Sequence, residues 1–256
     1  MPFTFAHPAL IIPLLHARSR YRWISATGLI AGSIAPDFEK FFRLQLSSVH
    51  SHTVGSIFYF SFPVALGLAF LFHRFIRRPL LDHLPAALYR RLQKYRHADW
   101  PGYCRRHPWG VLGSTGLGAA LHLLWDGFTH QHTFITDVLP GLASPLRVGG
   151  LTVPFFQVVG LLSSTAGLLV VGAEVWRLPV QPVRSVPTSA AVGRFWGIVA
   201  VVAFLLSVEW MLAVRPGFVD GGIAVISATL VGLVVASLYN SRFPRTSQKG
   251  RSTHSL

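Results

Sequence analysis

The feature that most restricts this chain is a set of long stretches free of ionised side chains. Residues 55–72, 109–125, 155–173 and 222–239 hold no Asp, Glu, Lys or Arg, and residues 195–214 hold only Glu209. About 20 apolar residues in a helix span the hydrocarbon core of a bilayer. Inside lipid a backbone must satisfy its own hydrogen bonds, so these stretches read as helices. A further stretch, 22–35, is shorter and rich in small residues, and its Gly28-x-x-x-Gly32 spacing lets helices approach closely in lipid. The expected fold is an all-α, polytopic membrane helix bundle of about six spans, near 22–35, 55–72, 109–125, 155–173, 195–214 and 222–239, in one membrane domain over 1–241. Residues 3–15 are apolar but interrupted by His7, Pro8 and Pro13, and read as an interfacial or re-entrant segment.

Charge supports this architecture. Only 12% of the residues are charged, about half the share usual in a soluble domain. The net charge of +14 raises the question of nucleic acid, but the basic residues sit in the connections between apolar runs. Alternate connections carry 19 Lys and Arg on one side of the bundle and four on the other. The positive-inside rule places the richer set, with both termini, in the cytoplasm. Residues 74–108 then form a basic cytoplasmic loop, and 242–256 a disordered basic tail. Membrane lipids, including anionic headgroups at that face, are the expected partners, and nucleic acid is not. Within the loop, His97, Asp99 and His107 read as solvated residues. The sole cysteine, Cys104, reads as a plain free thiol. There is no phosphate-binding Walker loop, dinucleotide fingerprint or G-x-S-x-G elbow.

Polar residues collect instead in the connections assigned to the extracytoplasmic side. They are the Gly32-Ser33-Ile34-Ala35-Pro36-Asp37-Phe38-Glu39 turn, the His50-Ser51-His52-Thr53-Val54-Gly55 segment, and a stretch from His122 through Asp126 to His130. The last three residues are spaced i, i+4, i+8, which on a helix lines two imidazoles and a carboxylate along one face. Imidazole nitrogen and carboxylate oxygen are common zinc ligands. One helix cannot surround an ion, so Asp37 and either His52 or His50 would complete the set. Glu209 is a further candidate, as an extra ligand or supporting carboxylate, or as a side chain that snorkels to the interface. Bland roles remain open for each residue: His122 as a helix-packing side chain, Asp37 as a helix cap, and His50 and His52 as exposed loop residues.

These elements, together with the opening Met1-Pro2-Phe3-Thr4-Phe5-Ala6-His7-Pro8-Ala9, resemble a family of bacterial integral membrane proteins, the domain of unknown function 4184. The resemblance runs from Met1 to about Tyr239. More loosely, the chain is similar to inner-membrane proteins named membrane-bound metal-dependent hydrolases. Those show a Pro-Asp turn, an Arg-x-x-Thr-His-Ser stretch and a later His-x-x-x-Asp helix. Here the middle element reads Val49-His50-Ser51-His52-Thr53, without the arginine. The resemblance implies a multi-pass protein of the bacterial cytoplasmic (inner) membrane and a metal site, and it suggests hydrolysis. It would also add His7 to the ligands, against the charge count, which puts the N-terminus on the opposite side.

The leading expectation is therefore a metal-dependent hydrolase facing the extracytoplasmic side. His52, His122, Asp126, His130 and Asp37, with His50 and His7 as further candidates, would hold one or two divalent ions, zinc first. Asp37 or Glu209 would serve as general base, and a lipid-type phosphoester or ester would be the substrate. Two rivals are carried alongside. One is a non-catalytic membrane protein in which the cluster packs helices, and the other is a transporter.

Overall fold

The computed structural model describes residues 3–18, 20–131 and 133–242. The expected all-α bundle is what it shows. A 3₁₀ segment, Thr4–Ile11, leads into α1 (Ile12–Ala17). Next come α2 (Ala26–Ile34), a 3₁₀ turn (Ala35–Asp37) and α3 (Phe38–Arg43), almost without a break. Two π-helical turns, Ile57–Ser61 and Phe72–Ile76, join α4 (Phe62–Leu71) and α5 (Arg77–Leu81) into one helix, Ile57–Leu81. The basic connection folds into α6 (Ala86–Leu92) and α7 (Trp100–Arg106), followed by α8 (Pro108–Gly127) and the short α9 (Phe134–Val138). A β-hairpin pairs β1 (Pro145–Val148) with β2 (Leu151–Pro154). Its two turn glycines, Gly149 and Gly150, both have positive φ, as the tightest hairpin turn requires. Three long helices close the chain: α10 (Phe155–Arg177), α11 (Ser189–Val214) and α12 (Phe218–Arg242).

Among the described residues, four helices are long and apolar enough to cross a membrane: Ile57–Leu81, α10, α11 and α12. On α10 and α11 the apolar side chains are mostly exposed, among them Leu161, Leu169, Phe204, Leu205 and Leu212. In water that surface would be a liability, and against acyl chains it is the ordinary state. The chain is an integral membrane protein. Each of these helices runs beyond the apolar stretch that marks it in the sequence. The first continues through Arg74, Arg77 and Arg78, α10 reaches Arg177, α11 starts before Arg194, and α12 includes Arg242. Residues 74–81 of the expected loop are therefore helical, because backbone bonding continues past the hydrocarbon and long basic side chains reach the interface from a helix. Asp99, read as a solvated residue, caps α7 by accepting from the Gly102 N–H at 2.9 Å. The expected disordered tail beyond Arg242 lies outside the described residues.

The interior is organised by α2 against α8. A Cβ at Gly32 would lie 2.2 Å from the Thr115 carbonyl oxygen, one at Gly118 2.4 Å from that of Leu29, and one at Gly110 2.2 Å from that of Trp23. Only glycine permits such backbone contact, which is how helices in lipid gain dispersion energy. Ala31 and Ala35 pack on Ala65 and Ala69 of α4. Phe38 and Phe41 of α3 pack on Ile223 of α12. On the other flank the N-terminal segment lies against α10, where a Cβ at Gly167 would come 2.9 Å from Ala6 Cβ and the Phe3 N–H donates to Ser164 Oγ at 2.8 Å. Four separate segments thus converge where α2 and α8 approach their C-termini.

Candidate metal centre

Close packing of α2 on α8 sets two carboxylates face to face. Asp37 follows Pro36 in the turn that ends α2, and Asp126 lies in the last turn of α8. Asp37 is fully buried and Asp126 nearly so. Asp37 does not cap α3, since its side chain makes no cap hydrogen bond. Its Oδ2 instead accepts from the Thr4 hydroxyl at 2.6 Å, and its Oδ1 accepts from the ammonium of Lys40.

Imidazoles close around the pair. His52 Nε2 stands 3.1 Å from Asp126 Oδ2 and 3.5 Å from Asp37 Oδ1. His122 Nε2 is 3.4 Å from Asp126 Oδ2 and 3.7 Å from Asp37 Oδ1. One ligand atom from each of Asp37, His52, His122 and Asp126 lies within 4.8 Å of the others. On the second oxygen of Asp126, His7 Nε2 approaches to 3.3 Å and His130 Nδ1 to 3.7 Å. The His7 ring stacks on His122 with centroids 3.8 Å apart.

The tautomers are legible from the other ring nitrogens. His122 donates Nδ1–H to the Ser33 carbonyl at 2.7 Å, and His7 donates Nδ1–H to that of Thr4 at 3.3 Å. The two Nε2 atoms then face carboxylate oxygens, that of His7 within hydrogen-bonding distance of Asp126 Oδ1 at 3.3 Å. His122 Nε2 is buried and has no hydrogen-bond partner. A lone pair facing two anions repels them unless a cation, or a second ring proton, lies between. Histidine ligands of metals are typically oriented in this way, with the distal N–H on a carbonyl. His52 differs: its Nδ1 meets the Ser51 hydroxyl at 2.8 Å, a group able to donate or accept. Burial pushes the His52 imidazole toward neutrality, but the carboxylates of Asp126 and Asp37 outweigh it and hold its pKa above the ordinary value.

The loop carrying His52 is fixed by Glu39. Its carboxylate accepts from the backbone N–H groups of Val49, His50 and Ser51 at 3.0, 2.9 and 2.8 Å, and pairs with Arg43 at 3.0 Å. Burial raises the Glu39 carboxyl, and these donors outweigh it and hold it at about 2. They also set which of the neighbouring histidines faces the carboxylates: His52 does, while His50 is exposed and lends its backbone to Glu39. Glu209 lies exposed on α11, outside the cluster. The expected His122–Asp126–His130 stripe is interrupted, because α8 stops at Gly127, whose carbonyl accepts the Thr133 hydroxyl at 2.6 Å. His130 folds back through a turn and donates to the Asp126 carbonyl at 3.0 Å, so it reaches the cluster from its partly exposed edge. His7 joins from the N-terminal segment, beside Asp126. Sequence reasoning assigned Thr4 and Lys40 no site role, and it marked Glu39 only as the end of a polar turn. The signal for the last two was a pair of charges set between aromatic residues, Phe38-Glu39-Lys40-Phe41.

The fold and this cluster define a class: a helical membrane protein in which buried histidines and aspartates from four segments meet at one end of the bundle. The chain belongs to the family described as domain of unknown function DUF4184, whose model matches residues 1–238. No curated protein and no solved structure matches it.

Proposed function

We propose that Asp37, His52, His122 and Asp126 bind a divalent cation, zinc by donor chemistry, and that the protein is a metal-dependent hydrolase working at a membrane surface. One observation carries the metal reading. His122 Nε2 is buried without a hydrogen-bond partner, its ring held by the Nδ1–H bond to Ser33, and it faces two carboxylate oxygens at 3.4 and 3.7 Å. Two imidazoles and two carboxylates are a donor set suited to zinc. A zinc ion bound there supplies Lewis acidity and draws the pKa of a bound water toward neutrality.

The chain's own residues divide the remaining work. Ser33 and Thr4 orient His122 and Asp37 from behind. Thr4 and Lys40 occupy Asp37, which leaves it better suited to ligation than to the general-base role that sequence suggested. His52 and His130, the partly exposed members, border the open edge where a substrate and its water would arrive. His130, 3.7 Å from Asp126 Oδ1, is the group placed to carry a proton there. The charge asymmetry of the connections supports an extracytoplasmic placement of this edge in a bacterial inner membrane, with anionic lipids against the opposite face.

A second reading has an observation of its own. Lys40 already gives Asp37 a counter-charge, so the cluster can also be read as a polar staple joining four segments without metal. The test is elemental analysis of detergent-purified protein by mass spectrometry, with a His122→Ala/Asp126→Ala variant of equal monodispersity. One or two zinc per chain in wild type, absent from the variant, supports the metal centre. Metal-free wild type after reconstitution with zinc refutes it and leaves the staple.

A further inference from the structure

Lys40 has no part in holding a cation and is an odd residue to bury beside one. Its side chain is 4% exposed, and its ammonium sits on Asp37 Oδ1, the same oxygen that His52 Nε2 and His122 Nε2 approach at 3.5 and 3.7 Å. An ammonium has three N–H donors. Among the described residues Asp37 is the one acceptor within bonding distance. The cluster is thus bordered by a buried cation with donors to spare.

The local charge balance gives that surplus a meaning. Glu39 is matched by Arg43 and by three backbone N–H groups, so it does not answer Lys40. What remains is Asp37, Asp126 and Lys40, with imidazoles that are neutral when they act as ligands. With one divalent ion the sum is +1. A net charge held away from water is costly and calls for a partner. A neutral carboxylic ester would leave the +1 uncompensated, whereas a phosphodiester or a phosphomonoester monoanion cancels it. Phosphoryl oxygens also suit a lysine acting as a point charge.

We infer that Lys40 makes this site a phosphoryl-binding site, the ammonium and the cation held by Asp37, His52, His122 and Asp126 together taking the oxygens of a phosphoester. The inference rests on the metal reading above and goes further, choosing phosphoesters over carboxylic esters and assigning the choice to one residue. The phosphoryl group can belong to a lipid headgroup or to a water-soluble phosphoester, and the chemistry at Lys40 is the same for both.

The test uses the full chain, zinc-loaded, in dodecyl maltoside and in nanodiscs of a phosphate-free glycolipid, with inorganic phosphate as the calorimetric probe. Wild type binds phosphate. Lys40→Gln keeps its zinc but binds phosphate about tenfold or more weakly, the loss of one charge-assisted hydrogen bond, and Lys40→Arg keeps most of the affinity. Adding phosphatidic acid to the nanodiscs separates the sources. Competition with phosphate supports a lipid phosphoester, and undiminished phosphate binding supports a soluble one. Wild type that holds zinc yet ignores phosphate overturns the inference while the metal centre stands, as does Lys40→Gln binding phosphate like wild type. Wild type that cannot hold zinc overturns both. If Lys40→Gln does not purify as a monodisperse species, the wild-type titration and Lys40→Arg decide the matter alone.

Discussion

Replacing Gly32 with alanine should damage both the bundle and the candidate metal centre through one added methyl group. The new Cβ would stand 2.2 Å from the Thr115 carbonyl oxygen. Real Cβ contacts essentially never fall below 3.0 Å, so α2 and α8 must part by at least 0.8 Å at this point. The atom that blocks is backbone, so no side chain can rotate out of the way. Overpacking of this kind costs about 1–3 kcal/mol, offset by about 1 kcal/mol of helix propensity gained on replacing glycine. A net loss of up to about 2 kcal/mol follows. The effect on the site is larger in proportion, because Asp37 ends the α2 segment and His122 and Asp126 lie on α8. Metal–ligand distances tolerate roughly 0.2 Å, so zinc affinity should fall by about tenfold or more. Gly113→Ala is the control: it lies on α8, the helix that faces Gly32, its Cβ would meet nothing within 4 Å, and it should be neutral or slightly stabilising. Thermal unfolding in detergent and zinc stoichiometry read both variants. Gly32→Ala that melts with wild type and carries full zinc would refute the account of how the two helices position the cluster.

Zinc at one hundred times its dissociation constant should stabilise wild type by about 2.7 kcal/mol, a shift that a chelator reverses and His122→Ala abolishes; differential scanning calorimetry measures it. Thr4→Val, which removes the 2.6 Å hydroxyl bond to Asp37, should weaken zinc binding by about 10–100-fold with little change in helicity by circular dichroism. Glu39→Gln should cost about 1.5–3 kcal/mol at neutral pH by loosening the 49–52 loop. The Glu39 carboxyl lies at about 2 in the folded chain against an ordinary 4.5, so its contribution is whole above pH 4.5 and fades as pH falls toward 2. Denaturation across that window should therefore show a shallower pH dependence in the glutamine variant.

The sequence spoke clearly about lipid and unclearly about helix ends, for a physical reason. Apolar runs measure hydrocarbon thickness, while helices continue for as long as backbone bonding does, as at Arg77 and Arg242. In the cluster, His122 and Asp126 were legible because i, i+4 spacing on one helix is a local property. Asp37 was legible from its turn. The choice between His52 and His50 was not, since it depends on Glu39 gripping a loop ten residues away. His130 was assigned to the site through a continuous helix that in fact ends at Gly127, and a turn brings it there instead. Thr4 takes its role wholly from a tertiary neighbour, Asp37, which no pattern in the chain announces.

The seat of the N-terminal segment has a consequence for biosynthesis. Phe3 and Ala6 lie against Ser164 and Gly167 of α10, some 160 residues further along the chain. Thr4 and His7 lie in the same segment, which also packs on α2 and α8 through Ile11, Leu29 and Leu121. The segment can therefore meet Asp37 and Asp126 once α2 and α8 are made, and α10 then closes over it from the other side. A chain arrested before α10 would hold the hydroxyl and the imidazole beside the two aspartates without the outer contacts that lock them in place.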